Sequence, residues 1–203
     1  MNYRPSLLPD FAHERRLLEQ GATYVAGVDE VGRGPLAGPV TVAAVILDPW
    51  AIPEGLNDSK ALSAVRRAIL AEAIFASALA VSIVCASAAE IDARNIRCAT
   101  LRAMVRAIGA LSPRPDFALI DGRDIPANLD CPAEALVGGD SRSQSIAAAS
   151  IIAKTTRDAL MAAADNCYPG YGFAAHAGYP TKAHGEAIKR LGLSALHRRS
   201  FRV

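Results

Sequence analysis

Two adjacent carboxylates, Asp29 and Glu30, stand where the apolar run Val25-Ala26-Gly27-Val28 gives out, and Gly32-Arg33-Gly34 follows one residue later. The apolar part reads as a buried strand. Two carboxylates at one spot repel each other unless positive charge lies between them, which a divalent cation supplies. Glycines beside them would let backbone N–H and C=O groups come close to a phosphate or a sugar. The competing reading is an acidic turn that only closes a strand. A third acid, Asp121, ends a second apolar run, Phe117-Ala-Leu-Ile-Asp121, and precedes Gly122. Alone it would pass for an ordinary Asp-Gly turn.

The elements that must position these acids follow from the pattern of the chain. Asp10 can cap a short helix over 11–20 that Gly21 stops. Thr23 to Asp29 reads as a first strand and the β-branched stretch Pro39 to Leu47 as a second. The link between them is too short for a helical crossover, so these strands are expected to be antiparallel. A helix over 61–78, a strand over 79–87 and one long helix over 88–111 come next, the last ending before Pro113 and Pro115. Asp116 to Asp121 is a strand and the stretch to Gly139 a loop. An Ala- and Ile-rich helix covers 141–165, Gly170 to Pro180 a loop, and Thr181 to Leu191 a basic helix. A mixed sheet with the 116–121 strand parallel to the first strand would set Asp29 and Asp121 side by side at the carboxyl edge, where open α/β sheets bind ligands.

The composition agrees with one α/β domain. The chain has 203 residues, 51% of them hydrophobic and 5% aromatic, with a formal charge of +2. The end from Lys182 to Val203 carries six Lys or Arg against the single acid Glu186, a mild pointer to a polyanionic partner. Cys85, Cys98, Cys131 and Cys167 are widely spaced and form no Cys-x-x-Cys pair. They read as buried thiols of a reducing compartment. No secretion signal is evident in Met1 to Asp10 and no run is apolar enough to span a bilayer, so a cytoplasmic protein is expected. None of His13, His176, His184 and His197 adjoins the acids, and each is expected to be a surface or packing residue. Gly32-Arg-Gly-Pro-Leu-Ala37 fits a dinucleotide fingerprint. That motif must open a helix, however, whereas Pro39 and Val40 to Leu47 begin a strand.

Several blocks carry a more specific likeness. Gly27-Val-Asp-Glu-Val-Gly-Arg-Gly-Pro-Leu-Ala-Gly-Pro-Val40 resembles the signature of bacterial ribonuclease H of type 2. Asn57-Asp58-Ser59-Lys60, Ile120-Asp121-Gly122, Ala147-Ala-Ala-Ser-Ile-Ile-Ala-Lys-Thr-Thr-Arg-Asp158, Gly178-Tyr179-Pro180 and His197-Arg-Arg-Ser-Phe201 fit the same family in the same order. The likeness runs from Phe11 to Phe201. It implies a ribonuclease H-like fold, a mixed five-stranded sheet flanked by helices, in a single domain over 1–203 with a helical C-terminal region over about 166–203.

The resemblance further implies an endoribonuclease that cuts the RNA strand of RNA–DNA hybrids and incises 5′ of single ribonucleotides in duplex DNA. The ends left would be a 3′-hydroxyl and a 5′-phosphate. Asp29, Glu30, Asp121 and a fourth acid would be catalytic and hold Mg²⁺ or Mn²⁺. Two such ions roughly 3.5–4 Å apart can activate water and hold the leaving oxygen of a phosphodiester. For the fourth acid, Asp158 is taken ahead of Asp140. Asp158 also suits an i,i+4 ion pair with Lys154, and Asp140 suits a helix N-cap. The family reads the ribonucleotide with a triplet matching Gly32, Arg33 and Gly34 and a tyrosine matching Tyr179. Lys60 is assigned to a backbone phosphate. A monomer is expected, with hybrid and ribonucleotide-containing duplexes as partners and no membrane. The rival readings are a non-catalytic hybrid binder, which three converging carboxylates disfavour, and a DNA nuclease of the same fold.

Overall fold

β2 (Val40–Ile46) is buried along its whole length, and its neighbours explain why its sequence reads as an unbroken apolar run. In the computed structural model, which describes residues 8–202, it lies inside a five-stranded sheet. It pairs antiparallel with β1 (Val25–Val31) and with β3 (Ala80–Ala86). β1 then pairs in parallel with β4 (Phe117–Asp121), and β4 in parallel with β5 (Ala133–Leu136). The order is β3-β2-β1-β4-β5. Successive β2 side chains face opposite layers. Val42, Ala44 and Ile46 pack in the cluster that holds Ala103, Met104 and Ala107 of α4 (Ile96–Gly109). Ala43 and Val45 join Leu70 and Ile74 of α2 (Ala64–Ser77) and Ile151 and Ile152 of α5 (Gln144–Cys167).

The mixed sheet is therefore as expected, and Val28 stands opposite Ile120 in the parallel register. Asp29 and Asp121 follow these two residues and come out side by side. Gly27 makes the second half of the arrangement possible. A Cβ there would run into the backbone of Ser145 and Ile146, so only glycine lets the start of α5 lie directly on β1.

Several boundaries differ from the sequence reading. The helix expected over 88–111 is two helices, α3 (Ala88–Arg94) and α4, because Asn95 takes φ +66° and its side chain accepts from the Cys98 N–H as an N-cap. The helix expected from residue 61 begins at Ala64, where Ser63 caps it. The loop after Asp121 contains β5, and the loop over 170–180 contains α6 (Phe173–His176). α1 (Ala12–Glu19) begins as expected, with Asp10 accepting from the Ala12 N–H, and α7 (Lys182–Leu191) is capped by Thr181. The cysteines are not buried thiols. Cys85, Cys98 and Cys167 are exposed and Cys131 is half-buried; Cys85 lies on the outer strand β3, which leaves its side chain uncovered.

The C-terminal elements are not an appendage. Tyr171, Phe173 and Ala187 share a buried cluster with Ala37 and Met161, and the Arg198 N–H donates to the Leu36 carbonyl at 2.8 Å. This folds the chain end against the loop that follows β1. Part of the stretch read for a secretion signal, Met1 to Leu7, lies outside the described residues, as does Val203. No helix among the described residues is long and apolar enough to cross a membrane.

Candidate active site

The end of β1 delivers Asp29 to a buried position and Glu30 to a half-buried one. Asp29 Oδ1 accepts from the Glu30 N–H at 2.7 Å. Burial pushes the Asp29 carboxyl well above its usual range, and the charges of Glu30 and Asp121 push the same way; Ser150 partly offsets them. Glu30 is raised as well, first by burial and also by Asp121. The Arg33 guanidinium, 3.4 Å from Glu30 Oε1, opposes the rise. Three carboxylates thus sit together with too little positive charge.

Asp121 is held from the other side. The Gly139 N–H donates to its Oδ1 at 2.7 Å, which brings the 3-10 turn Gly139–Ser141 beside the sheet edge. Asp140 is buried within that turn. Its carboxyl is raised by burial and then by Asp58 and Asp121, against Lys60, whose Nζ is 3.5 Å away. The N-cap role expected of Asp140 belongs to Ser143, whose side chain accepts from the Ile146 N–H. The helix starts later than its composition suggests, and Asp140 is left facing the acids.

Asp158 is elsewhere. Ser150 is the α5 residue whose side chain lies beside Asp29 and favours its charged form. Asp158 lies eight residues further along the same helix, about 12 Å at 1.5 Å per residue. Its oxygens are occupied by Lys154 at 2.7 Å and Arg67 at 3.8 Å. The structure does not bring Asp158 to the other three acids, and its ion pair with Lys154 is the intrahelical one that the spacing allows.

The Asn57 to Lys60 loop joins the site from the α2 side. The Ser59 and Ser150 Oγ atoms are 3.0 Å apart. Lys60 Nζ lies 3.6 Å from Asp58 and 3.5 Å from Asp140. Burial disfavours its charge, but Asp58, Asp140 and Asp29 outweigh that and raise its pKa. Lys60 is thus first a counter-ion of the acids, and its side chain is 76% exposed toward solvent.

Gly32, Arg33 and Gly34 lie beside Glu30, and the loop bearing Tyr179 meets them. The Tyr179 ring carbon Cε1 is 4.0 Å from the place a Gly34 Cβ would occupy. The Leu36 N–H donates to the Gly178 carbonyl at 2.8 Å. A guanidinium, that of Arg157, stands 5.7 Å from the Tyr179 ring centre. Beneath the loop lie His184 and His197, both buried. The Ser194 N–H donates to His197 Nδ1, so His197 carries its proton on Nε2 and donates to His184 Nε2 at 3.1 Å. His184 Nδ1–H then donates to the Tyr179 carbonyl at 3.0 Å. The packing role expected of these histidines is what they have.

Sequence reasoning missed Ser143, Ser150, Arg157 and Arg198, and also Glu14. The buried Glu14 carboxylate accepts from Ser143 Oγ at 2.6 Å and from the Ser145 N–H at 2.9 Å, fixing the start of α5. The one available signal was the alternation of Glu14 with Leu17 on the inner face of α1.

The donor set fits hard divalent cations. Among the described residues no three His, Cys, Asp or Glu side chains close into a cage of their own. Burial and mutual repulsion raise the carboxyls of Asp29, Glu30 and Asp140, so added positive charge there would favour their ionised forms.

Comparison with known proteins bears on the same residues. A sequence profile described as Ribonuclease HII matches residues 26–203. The Ribonuclease HII of Ruegeria pomeroyi is 60% identical over 195 residues, covering 96% of this chain and 83% of that protein. The ribonuclease H2 of Pyrococcus horikoshii has a similar structure, with a TM-score of 0.76 at 26% identity over 88% of this chain and 94% of that one. The RNase HII of Archaeoglobus fulgidus, solved in a complex with PCNA, gives 0.75 at 27% identity over 89% and 96%. With most of its length matched at this level, and with the acids of its sheet edge inside the matched region, the chain belongs to the ribonuclease HII family.

Proposed function

We propose that this metal-dependent endoribonuclease, which acts on RNA–DNA hybrids as its family does, also incises duplex DNA on the 5′ side of a single embedded ribonucleotide. The observation that carries the reading is the adjacency of two unlike parts. A cluster of charge-deficient carboxylates at the β1 and β4 ends lies next to a glycine loop faced by an aromatic ring. The first part suits hydrolysis of a phosphodiester, and the second suits recognition of a sugar.

Asp29, Glu30, Asp121 and Asp140 are the residues we assign to Mg²⁺ or Mn²⁺, with Asp140 in the place first given to Asp158. When bound, the ions supply Lewis-acid stabilisation to the attacking and leaving oxygens. The acids would hold that charge at the ends of β1 and β4 and in the turn before α5. Water adds to phosphorus and the P–O3′ bond breaks, so the upstream strand keeps a 3′-hydroxyl and the downstream strand a 5′-phosphate. Lys60 balances Asp58 and Asp140 and extends its ammonium toward a backbone phosphate. The 2′-hydroxyl distinguishes RNA from DNA. The amides of Gly32 to Gly34 can approach it because two of the three residues lack side chains. The Tyr179 ring then stacks on the adjoining deoxyribose. One copy of the chain supplies every one of these groups, so a monomer suffices. Free cysteines accord with a reducing, cytoplasmic setting.

The test is a labelled duplex with one ribonucleotide beside an all-DNA control, each with Mg²⁺ or Mn²⁺ and with chelator. A chelator-sensitive nick 5′ of the ribonucleotide, with the control intact, is the expected result. Cleavage of both duplexes would make the protein a DNA nuclease of this fold. Binding without cleavage would overturn the single-ribonucleotide reading and leave RNA–DNA hybrids as the substrate.

A further inference from the structure

Two arginines, Arg157 and Arg198, are the largest fully buried side chains among the described residues, exposed by 0% and 1%. A buried guanidinium is costly unless its charge and all its N–H groups find partners. Among the described residues neither is paired with a carboxylate; their partners are backbone carbonyls. Arg198 Nη1 donates to the Arg33 carbonyl at 2.9 Å, and Nη2 to those of Gly32 at 2.6 Å and Gly38 at 2.8 Å. Its Nε donates to the Gly38 carbonyl at 3.0 Å. The Phe201 ring covers the guanidinium at 5.1 Å. Asp92 fixes the segment by accepting from the Arg199 and Ser200 N–H groups, each at 2.9 Å. Burial and the neighbouring charge of Arg157 lower the Arg198 pKa to about 10, which leaves it charged at neutral pH.

This fork acts on one short stretch of backbone. Across a trans peptide the C=O and the following N–H point in opposite directions, and the peptides here are trans. Drawing the Gly32 and Arg33 oxygens inward therefore turns the Arg33 and Gly34 N–H groups outward. Among the described residues these two N–H groups have no backbone acceptor. Successive outward amides form a concavity for a lone-pair oxygen, here with a buried positive charge behind it and the Tyr179 ring at its rim.

We propose that Arg198 is a positioning residue for specificity, whose fork holds the Arg33 and Gly34 amides toward a 2′-hydroxyl oxygen and so sets the preference for ribose over deoxyribose. The inference rests on the reading of Gly32 to Gly34 as the sugar-contacting loop. Lysine at this position keeps the charge but has no planar fork to hold three carbonyls in one geometry.

The test uses the full chain carrying Asp29→Asn, to suppress cutting, with fluorescence anisotropy in Mg²⁺. Affinity for a duplex with one ribonucleotide is compared with affinity for the same sequence as DNA. The Asp29→Asn protein is expected to prefer the ribonucleotide by at least about tenfold, the worth of one or two hydrogen bonds. Adding Arg198→Lys should reduce the preference to within about twofold while affinity for the all-DNA duplex is retained. An undiminished preference in the folded double variant would overturn the role of Arg198. No preference in the Asp29→Asn protein itself would instead overturn the reading of the loop. Should Arg198→Lys fail to fold, the amide resonances of Arg33 and Gly34 in the Asp29→Asn protein decide. They should shift with the ribonucleotide duplex and not with the DNA duplex. Unmoved amides beside an intact preference would overturn the proposal.

Discussion

The Gly139 N–H donates to Asp121 Oδ1 at 2.7 Å, and this bond joins the end of β4 to the turn that precedes α5. It makes Asp140 the next residue in line at a cluster of carboxylates that lie far apart in the chain. The expected consequence is a clear difference between two substitutions. Asp140→Asn should lower cleavage of an RNA–DNA hybrid by roughly a hundredfold or more, the usual effect of removing one electrostatic group from an active site. Asp158→Asn should leave the rate nearly unchanged and cost about 0.5–1 kcal/mol of stability through its ion pairs with Lys154 and Arg67. Steady-state rates and thermal melts check both. The reverse ranking would return the fourth acid to Asp158.

Asp29→Asn should abolish cleavage and leave hybrid binding in place. It should also raise the melting temperature of the metal-free protein. The carboxylate is buried beside two others, and an amide removes the repulsion while its oxygen can still accept from the Glu30 N–H. Added Mg²⁺ should stabilise the wild-type protein more than the variant, because the acids bind it only in the folded state. Equal stabilisation of the two proteins would count against a metal role for Asp29.

Tyr179→Ala should lose about tenfold or more at a single-ribonucleotide junction, in line with the energy of stacking on an aromatic ring. Tyr179→Phe should behave as wild type, since the ring and not the hydroxyl faces Gly34. Competition between a hybrid and a junction substrate measures the shift. A Phe variant as weak as Ala would point to the hydroxyl instead.

The His184–His197 pair predicts an acid limb in the stability curve. Burial lowers both pKa values, and for His197 the neighbouring His184 adds to it. A proton added to either ring would set two N–H groups face to face. The unfolded chain takes protons from about pH 6.5 downward, while the folded one resists. Stability from this pair is therefore complete above that pH and is lost as pH falls below it, at no more than about 1.4 kcal/mol per proton and pH unit. His197→Gln should flatten the limb in chemical denaturation at a series of pH values. An unchanged slope would mean that other groups set it.

Gly27→Ala should destabilise the fold by about 3 kcal/mol, the upper range for overpacking. The added Cβ meets the backbone of Ser145 and Ile146 and has no side chain to push aside. A denaturation midpoint within error of wild type would contradict the close contact of α5 with β1.

Much of this protein was legible before any fold was known. Asp29, Glu30 and Asp121 each end an apolar run, and burial of a run is a local property that sequence pattern reports. The short link between β1 and β2 and the later arrival of β4 were enough to bring the acids to one edge of the sheet. Only the tertiary structure sets Asp140, and not Asp158, beside Asp121. A helical residue's place depends on where the helix starts, and Glu14, from another helix, fixes that start through Ser143 and Ser145. It alone also revealed Arg157 and Arg198 as interior residues. A charged side chain normally reads as surface, and here the partners that make burial tolerable are carbonyls, all but that of Ala177 more than a hundred residues away. Every residue has a carbonyl, so composition carries no trace of such a partner; only the folded path of the chain selects which ones the guanidinium meets.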